Sequence, residues 1–497
     1  MGSFSRLTLS VMAVTLLLAW VGPPSAMADD VSPEKSVTEE LLDILRQAGT
    51  IDEDQYQSLK QRARQEEQER VDAAVEQAVT AAALAVENSV PTDASPPDEP
   101  AAPDDWNFHW DNTFRLNRED GEFRLSFGGR LLTDWAYIHA NDEIDDALNS
   151  NGSGVEIRRA RIYFQGNLWK DLFFKSQLEF ANTGSGDVDV KDMLVGLRNL
   201  GPVGTVAIGH MKEPFSLEQQ TSSKNLVFME RSLAEAFTPV RNVGVMAFNP
   251  VLDRRLLWQV GVFEQTNRSG FSFDSDRDWR VTARLSGVPL YEDEGERVVH
   301  LGFSYSHRFQ DRDAMQQFSQ RPQSHLAPRF ADTGTTVPAD NTDVLVSEMA
   351  VVWGPLSIQG SYSHAFVDTY MGSDLDFWGA DAQASFFLTG EHRNYLLGKG
   401  KFGRLTPRAR FNLAARDWGA WEIAARFTYG DLNDAMIRGG ELWTVTAGLN
   451  WYLYPNARLM FNYVHAALRD RTVLGTPDIL DVDGDSDIAQ MRFQLDF

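Results

Sequence analysis

GELWTVTAGLNWYL, residues 440–453, carries two interleaved patterns. Trp443, Val445, Ala447, Leu449 and Trp451 share one side of an extended chain; Thr444, Thr446, Gly448, Asn450 and Tyr452 share the other. A soluble sandwich would need a second sheet to cover the oily side. A barrel wall in a bilayer needs none, because lipid takes one face and an aqueous lumen the other.

The pattern recurs along most of the chain. Residues 278–287 place Trp279, Val281, Ala283 and Leu285 opposite Arg280, Thr282, Arg284 and Ser286. The last eleven residues, DIAQMRFQLDF, alternate in the same way and end in Phe497. Sixteen segments qualify as strands: 124–137, 154–167, 172–183, 188–199, 203–211, 243–249, 256–264, 278–287, 297–309, 343–353, 356–367, 374–388, 419–431, 440–453, 457–467 and 487–497. Short connections such as 168–171, 199–202, 354–355 and 454–457 alternate with long ones at 139–153, 212–242, 310–342 and 469–486. The expected fold is all-β: a 16-stranded antiparallel transmembrane β-barrel with an aqueous channel. An even strand count puts both barrel ends in the periplasm.

The N-terminal part differs. Arg6, the apolar run Leu7–Val21 and Ala26-Met27-Ala28 form a signal peptide over residues 1–28. Residues 29–89 read as a periplasmic helical segment: a hairpin turning at Gly49, then an Ala/Val/Glu-rich helix whose spacing fits a coiled coil. Oligomerisation or peptidoglycan contact are its candidate roles, against a solvated helix without a partner. Residues 90–105 are a Pro/Asp-rich linker, and 106–497 are the barrel.

Two connections are too long for plain turns. The segment 212–242 runs about 30 residues without strand alternation, a length that usually has a task. It carries Lys212, Lys224, Arg231 and Arg241 beside Glu213, Glu218, Glu230 and Glu235. It is expected to fold into the barrel and narrow the pore. The segment 389–419 should be a periplasmic turn, yet it holds seven arginines and lysines against Glu391 and Asp417.

These strings resemble the phosphate-selective porin O/P family. EPFSLE at 213–218, TSS at 221–223 and FMERS at 228–232 carry the resemblance, with Phe237, Pro239, Arg241, Asn242, Gly244 and Val245. RRARIYF at 158–164, LTGEHRNY at 388–395, GKFGRLTPRARF at 400–411 and WGAWEIAARFTYGDLND at 418–434 extend it. The resemblance implies a homotrimer in the Gram-negative outer membrane, passive uptake of phosphate or polyphosphate, and a turn 389–419 tucked into the barrel mouth.

Cations on the polar faces are the candidate anion sites, because a guanidinium fork matches two phosphate oxygens. Arg159 and Arg161 alternate with apolar neighbours, and Arg158 joins them if the strand bulges there. Arg280, Arg284 and Arg426 are inward on their strands; Lys224, Arg231 and Arg241 come from the long loop. Arg130, Lys175, Arg458 and Arg492 are also inward. So are Asp134, Glu179, Asp192, Glu348, Asp381 and Glu422, so pairing that stiffens the wall competes with pore function. The net charge of −25 does not decide selectivity, since residues 29–105 alone hold 20 acids and 6 bases.

Other chemistry finds little support. There is no cysteine. No HExxH, G-x-S-x-G or G-K-[ST] spacing occurs, so no enzyme, cofactor or nucleic-acid partner is expected. Asp481–Asp487 resembles half of a calcium loop, but Arg492 stands where the closing Glu belongs, and no metal site is assigned. Two alternatives stay open: a general or other-anion porin without phosphate preference, and a structural tether between outer membrane and cell wall.

Overall fold

The computed structural model describes residues 56–57, 106–181, 188–272, 278–310, 315–474 and 479–497. The predicted signal peptide and linker, and all of the helical segment but Tyr56 and Gln57, lie outside the described residues. Among the described residues, sixteen antiparallel strands close on themselves. They are β1 (Arg124–Ala140), β2 (Gly152–Leu168), β3 (Leu172–Glu179), β4 (Asp189–Leu197), β5 (Thr205–Lys212), β6 (Arg241–Val251), β7 (Leu256–Glu264) and β8 (Trp279–Glu292). Then come β9 (Arg297–Phe309), β10 (Val337–Trp353), β11 (Leu356–Thr369), β12 (Leu375–Phe387), β13 (Ala420–Asp434), β14 (Ile437–Tyr454), β15 (Ala457–Leu474) and β16 (Ile479–Asp496). Each pairs with its sequence neighbour, and β16 closes on β1 from Ser486 opposite Ala140 to Asp496 opposite Arg130. Closure leaves no strand edge for hydrocarbon to strand without hydrogen bonds.

The wall is inside-out relative to a soluble protein. On β8 and β9, Leu285 and Phe303 are 50% and 48% exposed, while Thr282 and Ser304 are fully buried. The apolar side chains face outward into the bilayer, and the polar ones face the lumen.

Most short turns lie at the periplasmic rim, with 388–419 the long exception, and the longest of the other connections lie at the opposite rim, where 435–436 and 475–478 are nevertheless short. Two features differ from the sequence reading. First, β15 and β16 run 18 residues each, well past the 9–11 or so that a bilayer needs. The Asp481–Asp487 run is therefore extended strand, with Asp481 opposite Thr472 and Gly484 opposite Leu468, rather than a solvated loop. Second, the loop between β9 and β10 also folds inward. A small hairpin, Ser319–Gln320 with Ala331–Asp332, buries Phe318 and Phe330 against Phe215, Leu233 and Phe237 of the 213–240 loop. At the periplasmic end the 388–419 turn enters the lumen as well, packing Tyr395 and Phe402 on Leu217, Val298 and Val352.

The seam tolerates no side chain at its tightest point. A Cβ added to Gly128 would lie 2.2 Å from the Phe497 carbonyl oxygen, whereas at Gly287 the nearest atom is 3.7 Å away. Gly128→Val is expected to abolish the heat-resistant folded band on gels or lower the melting temperature sharply. Gly287→Ala should leave both near wild type.

Candidate functional site

Beyond two short helical turns, Leu217–Gln220 and Leu233–Phe237, the 213–240 loop makes few backbone hydrogen bonds of its own, so the wall supplies others. Met229 N donates to Asn462 Oδ1 at 3.0 Å, and Leu233 N to Thr428 Oγ1 at 2.9 Å. Carbonyls of Leu226, Val227 and Glu230 accept from Arg458, Asn450 and Arg426 at 2.8, 2.8 and 2.9 Å. Ser363 Oγ donates to Ala234 O at 2.6 Å. These anchors lie on β11 and β13–β15, so the loop is pinned to one side of the lumen.

The opposite side stays open. A cavity of about 1340 Å³ follows β1–β6 and the exposed flank of the loop. It reaches Arg321 and Arg329 of the β9–β10 loop at one end, and Asn167 and Arg198 beside periplasmic turns at the other. Among the described residues its lining counts seventeen arginines and lysines against Glu119, Asp192, Glu230 and Glu235.

Arg158, Arg159, Arg161, Arg231 and Arg241 all line this cavity. The register slips at Arg158, so Arg159 faces Leu132 and Ile157 faces Thr133. That bulge turns Arg158 inward, and its fork binds Glu230 at 2.8 and 2.9 Å. Arg161 pairs with Glu179 at 2.5 Å and Arg241 with Asp192 at 3.0 Å. Arg159 Nε has no hydrogen-bond partner among the described residues. Among the described residues Arg231 donates only to the carbonyls of Glu218 and Thr221, both at 3.2 Å.

The other four candidates sit elsewhere. Lys224 pairs with Asp496 at 2.8 Å near the periplasmic end. Arg280 lies 3.6 Å from Glu213. Arg284, fully buried, binds Glu348 at 2.5 Å and the Gly400 carbonyl at 3.1 Å. Arg426 meets Glu218 at 3.4 Å and Gln323 at 2.5 Å. Each braces an inserted segment against the wall.

Residues outside the predicted set complete the lining. Arg130 donates to Ser222 and Ser223 hydroxyls at 3.2 and 3.0 Å, with no ion pair among the described residues. Lys212 donates to the Gln219 carbonyl. Lys399 and Lys401 reach in from the 388–419 turn. Gly398 and Gly400, at φ 77° and 57°, allow that tight tip. The alternating Gly-Lys pairs at 398–401 are a signal the sequence offered.

Burial lowers the Lys401 ammonium to about 8, and Lys175 and Lys399 repel it further. Burial also raises the Glu235 carboxyl, with Glu218 adding repulsion. For Glu230, burial is outweighed by Arg158 and Arg492, which hold the carboxyl well below its usual range.

A closed barrel with a lipid-ready outer wall and a polar passage between its rims is an outer-membrane porin of a Gram-negative bacterium. The chain belongs to the phosphate-selective porin O and P family, whose model matches residues 124–497. Porin O of Pseudomonas aeruginosa is 26% identical over 415 residues, covering 75% of this chain and 89% of that protein. An uncharacterised protein of Caulobacter vibrioides is 26% identical over 508 residues, covering 98% and 96%. Among solved structures, OmpT of Vibrio cholerae has a TM-score of 0.46 at 12% identity, covering 76% and 99%. OprB of Pseudomonas putida has a TM-score of 0.46 at 10% identity, covering 75% and 94%.

Arg492 binds both Asp134 and Glu230 while almost fully buried. Arg492→Met is expected to destabilise the barrel by about 3–5 kcal/mol, because buried Asp134 loses its partner and Glu230 keeps only Arg158. Urea unfolding in detergent would measure this, and a melting curve matching wild type would contradict it.

Proposed function

We propose that the channel is anion-selective and passes phosphate or short polyphosphate by passive diffusion. What supports this reading is the excess of cations along the open side, where Arg130, Arg159 and Arg231 have no carboxylate partner among the described residues. Unpaired cations in a confined lumen raise the local anion concentration. Guanidinium forks beside the Ser222 and Ser223 hydroxyls offer donors shaped for phosphate oxygens. Partial pairing of Arg158, Arg161 and Arg241 keeps each site weak enough to release its ion. The assembly proposed is a homotrimer, as family membership implies; cross-linking in native membranes would count the subunits.

Reversal potential in a salt gradient tests selectivity. Arg130→Gln with Arg159→Gln removes two charges worth about 1 kcal/mol each in a wet lumen. The anion-to-cation permeability ratio should then fall roughly tenfold or more. Millimolar phosphate should block chloride current in wild type and less so in the variant. Current without phosphate block would leave a general anion porin, and negligible current would favour the tether.

The pH dependence has a definite sign. Lys401 is charged below about 8 and neutral above it. Glu235, raised by burial, is neutral at low pH and gains negative charge as pH rises. The first change removes an attraction for anions and the second adds a repulsion, so anion selectivity should fall as pH rises through about 8. Bound phosphate would move the Lys401 midpoint upward. Lys401→Met with Glu235→Gln should flatten the profile; an unchanged step would remove both groups from the site.

A further inference from the structure

Residues 106–118 precede the segment that the family model matches. They form an antiparallel hairpin, Trp106–Trp110 against Phe114–Arg118. Its second strand pairs onward with β1, from Phe114 opposite Phe127 to Asn117 opposite Arg124. The last ladder pair of β16 is Asp496 opposite Arg130, and Phe497 N donates to Gly129 O at 3.0 Å. The hairpin therefore takes over as the neighbour of β1 where the C-terminus ends.

The hairpin has the same two faces as the wall. Trp106, Phe108, Trp110 and Phe114 point outward, 46%, 68%, 51% and 37% exposed. They continue the barrel's lipid face without a break: Phe108 stacks on Phe114 at 6.0 Å, Phe114 on Phe127 at 6.3 Å, and Phe127 meets Phe164 at 4.9 Å. Asn107, Arg115 and Asn117 point the other way and line the channel cavity. Arg115 pairs with Asp111 at 2.9 Å and Arg118 with Glu122 at 2.5 Å. That inner face is polar but close to charge balance, so it guides a departing anion without holding it.

We propose that residues 106–118 are the periplasmic exit wall of the pore, with their aromatic face seated in the headgroup–acyl boundary of the inner leaflet. Continuity with the lipid-facing wall argues for lipid as the occupant. So does composition, since Trp and other amphipathic aromatics favour that boundary. In water the same face would be a large exposed apolar patch.

The absence of native cysteine makes the test clean. Asn117→Cys is placed in planar bilayers, and an anionic thiosulfonate is added. Stepwise loss of single-channel conductance is expected, with a smaller loss from a cationic reagent. Full current after labelling confirmed by mass spectrometry would overturn the exit wall, while current before the reagent keeps the porin reading intact. If Asn117→Cys fails to assemble, Asn107→Cys, its cross-strand partner, takes its place. For the outer face, Phe108→Cys carrying a fluorophore should be quenched by lipids nitroxide-labelled near the headgroup. An unquenched probe, or a disulfide between two copies at this position, would overturn the lipid assignment.

Discussion

Arg492 holds three separate stretches of chain with one guanidinium. Two of its nitrogens bind the two oxygens of Asp134 on β1, each at 2.6 Å. Nη2 also reaches Glu230 at 2.7 Å, and Nη1 donates to the Met229 carbonyl. Because β16 and β1 are the strands that close the barrel, the contact that locks the seam also fixes the middle of the inserted loop. Glu230 passes the constraint on to Arg158, whose fork it accepts in full. Seam, loop and bulge are therefore one charged cluster, and none can shift without leaving a buried charge unpaired.

That cluster divides the cations of the lumen into two populations. Arg284, Arg426, Arg458 and Arg492 are almost fully buried and spend their donors on loop carbonyls and wall carboxylates. They convert an irregular segment, with a backbone otherwise short of partners, into part of the wall. Arg130, Arg159, Arg231 and Lys212 lie on the far flank of the loop, where carboxylates are scarce. The net charge of −25 says nothing about this local balance, since charges beyond a Debye length of about 8 Å are largely screened.

The barrel was legible because its wall repeats one simple rule. Many of the sixteen strands show the period-two alternation that lipid outside and water inside impose, so position and number came through, with ends misplaced mainly where strands run past the bilayer. The hairpin at 106–118 was missed although Trp106, Phe108 and Trp110 alternate with Asn107 and His109. Five residues beside a Pro/Asp linker are too few to separate from chance. The inward fold of the β9–β10 loop was missed because Phe318 and Phe330 stand alone among polar residues. Pairing was the least readable property. Arg284 and Glu348 are 64 residues apart, and Arg492 and Asp134 are 358 apart. Alternation says that each faces the lumen, but only the closed barrel says which carboxylate it meets.

The eccentric passage follows from the same economy of partners. An inserted loop can be rigid only where side chains satisfy its backbone, and side chains long enough to do so fill the space they cross. The β8–β16 half of the lumen is accordingly dense, built from the loop, the 388–419 turn and the wall residues that hold them. The β1–β6 half stays open because the loop turns charged side chains, rather than backbone, toward it. Lining charge and rigidity thus occupy opposite sides of one loop. A mutation that loosens the packed side would widen the pore without removing a single lining charge, whereas a mutation on the wet side would change the charge and leave the width.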